Sequence, residues 1–113
     1  MIWRLDTRRD FEQLRRGTRR RSGLLTVSLG PLDVTKPPRV AFAIGRKVGT
    51  APRRNRLRRR LRALMTAEQD RLIQATYLIT ARPGAAERSF DELRTYLMQA
   101  LNALHAFKAD DLG

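Results

Sequence analysis

Residues 53–62 read RRNRLRRRLR, seven arginines in ten positions interrupted only by Asn55, Leu57 and Leu61. As a helix this run has an order: Leu57, Leu61, Leu64 and Met65 fall on one stripe at i, i+4, i+7 and i+8. The pattern predicts a helix from an N-cap at about Thr50, with Pro52 tolerated in the first turn, to about Gln69. At about 100° per residue the leucines turn toward a core, Asn55, Arg56, Arg59 and Arg62 point away from it, and Arg58 sits on the flank. No acidic residue stands at i+4 on the charged face, and each like-charged pair at that spacing costs roughly 0.2–0.5 kcal/mol. Such a helix is favoured where a polyanion supplies the missing charge. A membrane surface is a poor match, because the core needs the leucine stripe and no bulky apolar side chain remains on the charged side. Nucleic acid fits better. Asn55 brings a donor and an acceptor suited to a sugar hydroxyl, a phosphate or a base edge, with hydrogen bonding at the helix terminus as the other use.

The rest of the chain sets the context for this helix. Its 113 residues make one modest domain, and 24 Lys and Arg against 11 Asp and Glu give a formal charge of +13. All the excess lies early: residues 1–66 hold 19 basic and 4 acidic side chains, residues 67–113 hold 5 and 7. Lysine occurs only at 36, 47 and 108, so the basic residues are otherwise arginine, which pairs bidentately with phosphate and stacks on bases. A GC-rich genome would also produce an arginine bias, but not its clustering. The absence of cysteine rules out disulfides, thiolate metal sites and cysteine nucleophiles, and a lone His105 leaves little for a histidine triad or a zinc centre. There are no paired carboxylates placed for acid–base chemistry, so protein catalysis is not expected. No apolar run reaches a membrane span and the N-terminus has no hydrophobic signal core, which predicts a cytoplasmic protein.

Residues 1–113 read as one α+β unit. A short helix is expected over Arg8–Arg16, with Thr7 as N-cap and Gly17 beyond its end, placing Phe11 and Leu14 on one side. The basic stretch Arg15–Arg21 then links it to a strand near Leu24–Leu29, and Gly30–Pro38 reads as a mobile Pro/Gly-rich loop. Val40–Gly45 is the clearest strand: Val40, Phe42 and Ile44 alternate with Ala41, Ala43 and Gly45. The large residues should face the core, and the tiny ones leave a surface for a ligand, a packed helix or a covering loop. Thr76–Ala81 is a last strand, stopped by Arg82-Pro83-Gly84. Ser89-Phe90-Asp91-Glu92 is a capping box opening a helix striped by Leu93, Leu97, Leu101 and Leu104, and residues 108–113 are expected to be a tail.

The gapless run Arg39–Arg62, RVAFAIGRKVGTAPRRNRLRRRLR, resembles the central block of the bacterial ribonuclease P protein subunit family. The matching positions are Arg46-Lys47, Gly49, Ala51, Arg54-Asn55-Arg56, Arg58-Arg59 and Arg62. Asp10-Phe11 with Gly17, and YLITARPGA at Tyr77–Ala85, are similar to that family's first helix and last strand. The resemblance implies an αβββαβα order, a central four-stranded sheet with helices packed on it, and a left-handed β-α-β crossover. It implies a cofactor of a catalytic RNA that removes the 5′ leader of precursor tRNA, one protein per RNA, with Mg²⁺ held in the RNA and no cofactor or metal on the protein. Carried over by position, Arg46, Lys47, Arg53, Arg54, Asn55, Arg56, Arg58, Arg59 and Arg62 face the catalytic RNA. Phe11, Arg15, Ala41, Ala43 and Gly45 receive the leader. The chain departs from the family in four places. A second aromatic of the first helix is replaced by Leu14 or Arg15, the interval from Phe11 to Gly17 is one residue short, cleft serines are Ala43 and Gly45, and a strand aromatic is Val27. A structural RNA-binding protein of the ribosome is the alternative reading, and a DNA-binding module that lays the arginine helix in a major groove is a third.

Overall fold

The computed structural model describes residues 3–4 and 18–108. The helix expected over Arg8–Arg16, with Phe11 and Arg15, lies outside them. A two-residue strand β1 (Trp3–Arg4) is followed by β2 (Thr18–Ser22), β3 (Leu25–Leu32), β4 (Arg39–Ala43), helix α1 (Ala51–Glu68), β5 (Ala75–Ala81) and helix α2 (Phe90–Ala103). Single 3₁₀ turns at Arg46–Val48 and Ala85–Glu87 precede the two helices. The strands form one mixed sheet in the order β1-β4-β5-β3-β2, four full strands with β1 as a short addition at one edge. The α+β fold is thus as the residues predict, and the four-stranded sheet as the family resemblance implies. Strands β4 and β5 are parallel neighbours joined through α1, and β3 is antiparallel to both β5 and β2.

Period two decides which side of each strand is buried. Leu25 is in register with Ala81, Val27 with Ile79 and Val40 with Tyr77, and these side chains, with Ala75, meet Leu57, Leu61, Leu64 and Met65 of α1 and Leu93, Leu97 and Leu101 of α2 in one core. Both helices therefore pack on the same sheet face. Each fully buried leucine of this stripe contributes about 1.5–3 kcal/mol of hydrophobic stabilisation, so the apolar edge of α1 is its main hold on the core while its arginines point elsewhere.

The structure redraws three local boundaries. Thr18–Ser22 is a strand, not a basic linker: it pairs along its length with β3, from Thr18 with Leu29 to Ser22 with Leu25. Three consecutive arginines are tolerated because β2 is an edge strand whose side chains are exposed at Arg19, Arg20 and Arg21. The hairpin turn needs Gly23, whose φ is +56° and whose missing Cβ would overlap the Tyr96 ring. Second, β3 runs on through Gly30 and Pro31 to Leu32, a register shift between Leu29 and Leu32 absorbing the proline. Only the remainder of the Pro/Gly-rich segment is loop, and Gln74 spans it: its backbone carbonyl accepts from the Asp33 amide at 2.7 Å, and its Nε2 donates to the carbonyls of Val34 and Lys36 at 3.0 Å. Third, β4 stops at Ala43, so Ile44 enters the core from the connection to the first 3₁₀ turn. At the other end Lys108, assigned by sequence to a tail, donates its amide to the Arg71 carbonyl at 2.7 Å.

Candidate nucleic-acid interface

The basic surface begins one turn before α1. In the Arg46–Val48 turn Val48 is buried and anchors the segment, which leaves Arg46 and Lys47 exposed beside the start of the helix. The Thr50 N-cap makes no side-chain hydrogen bond and the first turn of α1 contains no acidic residue. The positive end of the helix dipole therefore adds to the arginine charge instead of being neutralised.

Tertiary packing divides the arginines of α1 among three directions. Toward the Ala85–Glu87 turn, Arg53 pairs with Glu87 at 3.2 Å, Arg56 donates to the Ala86 carbonyl at 3.4 Å, and Arg60 donates to the Arg88 carbonyl at 3.5 Å. Outward, Asn55 and Arg59 are exposed, and Arg58 donates to Asn55 Oδ1 at 2.8 Å, so the asparagine holds an arginine one turn on. Toward β4, the Arg62 guanidinium lies 5.6 Å from the centroid of Phe42. Arg54 is half-buried, and its Nε finds no hydrogen-bond partner among the described residues. The sequence places Arg56 and Arg62 on one outward face with Asn55 and Arg59. In the structure they lean to opposite flanks, which widens the guanidinium band. Arg60 was missed from the sequence set because its helical angle lies near the leucine stripe, yet its long stem lets the head group reach the surface.

The opposite sheet face is the second candidate surface. Ala43 and Gly45 are exposed, and a Cβ built on Gly45 meets nothing within 4 Å. Ala41 is buried, so the small-residue floor is open only at its Ala43–Gly45 end. Phe42, expected in the core with Val40 and Ile44, is half-buried beneath Arg62. Val27 is fully buried on the helix side of the sheet and offers nothing to this face. Hydroxyls are present here on neighbouring strands: Ala43 is in register with Thr80, and Thr80 with Thr26, both half-buried. Ser28 and Thr76 share the face but are buried, and Thr76 Oγ1 has no hydrogen-bond partner among the described residues. The alternation in LTVSL and TYLIT was the signal for these hydroxyls; the strand order that brings them beside Ala43 was not in the sequence. At the far edge of the sheet, Arg19, Arg20 and Arg21 form a separate exposed basic stretch.

Among the described residues no three His, Cys, Asp or Glu side chains come together in a way that could hold a metal ion. None of the described helices is long and apolar enough to cross a membrane.

Fold and surface together define a class, a small α+β domain with a core-anchored arginine helix on one face of its sheet and a partly open small-residue strand end on the other. The family model for ribonuclease P matches residues 2–105. Similar curated proteins are the ribonuclease P protein components of Lactobacillus delbrueckii subsp. bulgaricus, 32% identical over 94% of this chain and 90% of that protein, and of Acidothermus cellulolyticus, 37% identical over 90% and 88%. Among solved structures, the ribonuclease P protein of Staphylococcus aureus superposes with a TM-score of 0.83 at 18% identity, covering 94% of this chain and 98% of that one. That of Thermotoga maritima gives 0.74 at 24% identity, covering 85% and 92%. The chain belongs to the ribonuclease P protein component family.

Proposed function

We propose that this protein binds the catalytic RNA of ribonuclease P, one protein per RNA, and assists removal of the 5′ leader from precursor tRNA. The observation that carries this reading is the arginine band on α1: among the described residues only Arg53 of its seven arginines is paired with a carboxylate, while the leucine edge fixes the helix in the core. Arg54, Asn55, Arg56, Arg58, Arg59 and Arg62 form the surface for the catalytic RNA, with Arg46, Lys47 and Arg53 at its edge. Arg58 is presented by Asn55, and Arg53 is partly committed to Glu87. Ala43 and Gly45, with Thr26 and Thr80 beside them, form the floor for a single-stranded leader. Phe11 and Arg15, which lie outside the described residues, belong to the same reading by sequence position, and Ala41 is the buried end of the same floor.

Chemistry at the scissile phosphate is assigned to Mg²⁺ held by the RNA, and the protein supplies charge and positioning. Neutralising phosphates where RNA strands approach one another lowers the metal concentration at which the RNA folds and binds its substrate. Reconstitution tests this. Adding the protein to catalytic RNA should allow precursor tRNA cleavage at Mg²⁺ concentrations where the RNA alone is inactive. Absence of stimulation at every salt and Mg²⁺ concentration overturns the reading. Recovery of ribosomal RNA, and not a ribozyme, with the purified protein would support the ribosomal alternative.

A further inference from the structure

We propose that Phe90, framed by Arg56, Arg59 and Arg60, is a stacking shelf for one unpaired nucleotide of the catalytic RNA. The proposal rests on the reading of α1 as the RNA-binding helix and adds to it a contact that is not electrostatic. Phe90 is the first residue of α2 and is 43% exposed, the one aromatic among the large apolar side chains left exposed in the described residues. It stands three positions before Leu93 and extends the apolar stripe of α2 by a turn, out of the core and toward α1. There it lines an open hollow whose other walls are Arg56, Arg59, Arg60 and Ala63.

The construction of this hollow favours a nucleotide. The backbone under Phe90 is fixed by the reciprocal Ser89–Glu92 capping box, so the ring is presented from a rigid position. Arg56 and Arg60 are steered to the site by the carbonyls of Ala86 and Arg88 on the adjoining turn. Arg59 makes no ion pair or hydrogen bond among the described residues and is available to a phosphate. Ala63 contributes only a methyl group and leaves space in front of the ring. The nearby carboxylates Glu87 and Glu92 are engaged by Arg53 and Arg88, at 3.2 and 3.6 Å. An aromatic face ringed by guanidiniums is what a splayed base and its two flanking phosphates require. A paired A-form helix exposes phosphates but no base face, so it would use the arginines and leave the ring idle.

The two kinds of contact separate by salt dependence. Stacking releases no counterions, whereas each lost phosphate contact lowers the slope of log affinity against log salt by about 0.7–0.9. Binding of full-length protein to catalytic RNA, titrated at several salt concentrations, should be weakened by Phe90→Leu about 5- to 50-fold with an unchanged slope. Phe90→Tyr should bind like the parent, and Arg59→Ala should lower the slope. In a Phe90→Trp variant, RNA should quench fluorescence beyond the change given by Trp3 in the parent protein. Binding of Phe90→Leu within twofold of the parent, or no added quenching in Phe90→Trp, overturns the shelf while leaving RNA binding by α1 intact. Equal losses in Phe90→Leu and Phe90→Tyr with lowered melting temperatures would make the ring structural and overturn it as well. Failure of the parent protein to bind the RNA would bring down the proposed function and this inference with it.

Discussion

Thr80 shows how a single side chain changes meaning once its neighbours are known. In the sequence it is one of the small positions of a buried-looking strand, and the alanine at 43 and glycine at 45 suggest a cleft without hydroxyls. The parallel pairing of β4 with β5 puts Thr80 directly beside Ala43, and the antiparallel pairing of β3 with β5 puts Thr26 beside Thr80. A hydroxyl lost from one strand is therefore available from the next. Thr80→Val keeps the shape of the side chain and removes one hydrogen bond, typically worth about 0.5–1.5 kcal/mol. Its expected effect is a loss of about 2- to 10-fold in the preference of the reconstituted enzyme for precursor over mature tRNA. Competition cleavage or binding assays read this directly, and binding of the catalytic RNA itself should be unchanged. Asn55 makes the converse point. Its type and position were legible as a polar residue within a basic run, but that its oxygen is occupied by Arg58 depended on the rotamers of both side chains.

The elements differ in how much of their stability is local. Helix α2 carries its own start signal, and the structure has both halves of the box: the Glu92 amide donates to Ser89 Oγ at 3.1 Å and the Ser89 amide donates to Glu92 Oε1 at 3.3 Å. That second bond, reinforced by the Ser89 hydroxyl and the charge of Arg88, holds the Glu92 carboxyl below its ordinary pKa of 4.5. A carboxylate depressed in the folded state stabilises the fold above its unfolded pKa and loses that contribution as pH falls. Thermal melts should therefore show this cap's contribution constant above about pH 5 and declining below 4.5, with Glu92→Gln removing that part of the acid sensitivity. Ser89→Ala should cost about 1 kcal/mol at neutral pH, measured by denaturant unfolding. Helix α1 has no such local device, since Thr50 makes no side-chain cap and its arginines repel. It stays helical because Leu57, Leu61, Leu64 and Met65 are buried. Strand β2 is the element that sequence reasoning misread, and for a physical reason: an exposed edge strand has no buried side and so no period-two signal, and TRRRS is ordered by its partner β3.

At the scale of the whole molecule the exposed positive charge is concentrated in two places, Arg19–Arg21 on one sheet edge and the arginines of α1 on the helix-covered face. If six or more of these side chains meet phosphate, log affinity for the catalytic RNA should fall with log salt with a slope of about 4 or steeper. Replacing Arg54 and Arg56 together should flatten it by roughly 1.4–1.8. Filter binding between low and physiological salt checks both, and a slope near zero would show that the charge does not act through phosphates. Much of this was present in the sequence: the single α+β domain, the core-anchored arginine helix, the capping box and the family resemblance through Arg54-Asn55-Arg56. Those features depend on residue spacing along one element, which periodicity and capping chemistry report faithfully. Only the tertiary structure decided that Arg56 and Arg62 lean to opposite flanks, that Thr26 and Thr80 stand beside Ala43, and that Phe90 meets Arg56, Arg59 and Arg60 across a shared hollow. Each of those joins residues far apart in the chain through strand order and helix packing, and their positions are set by the core they share, which no local pattern records.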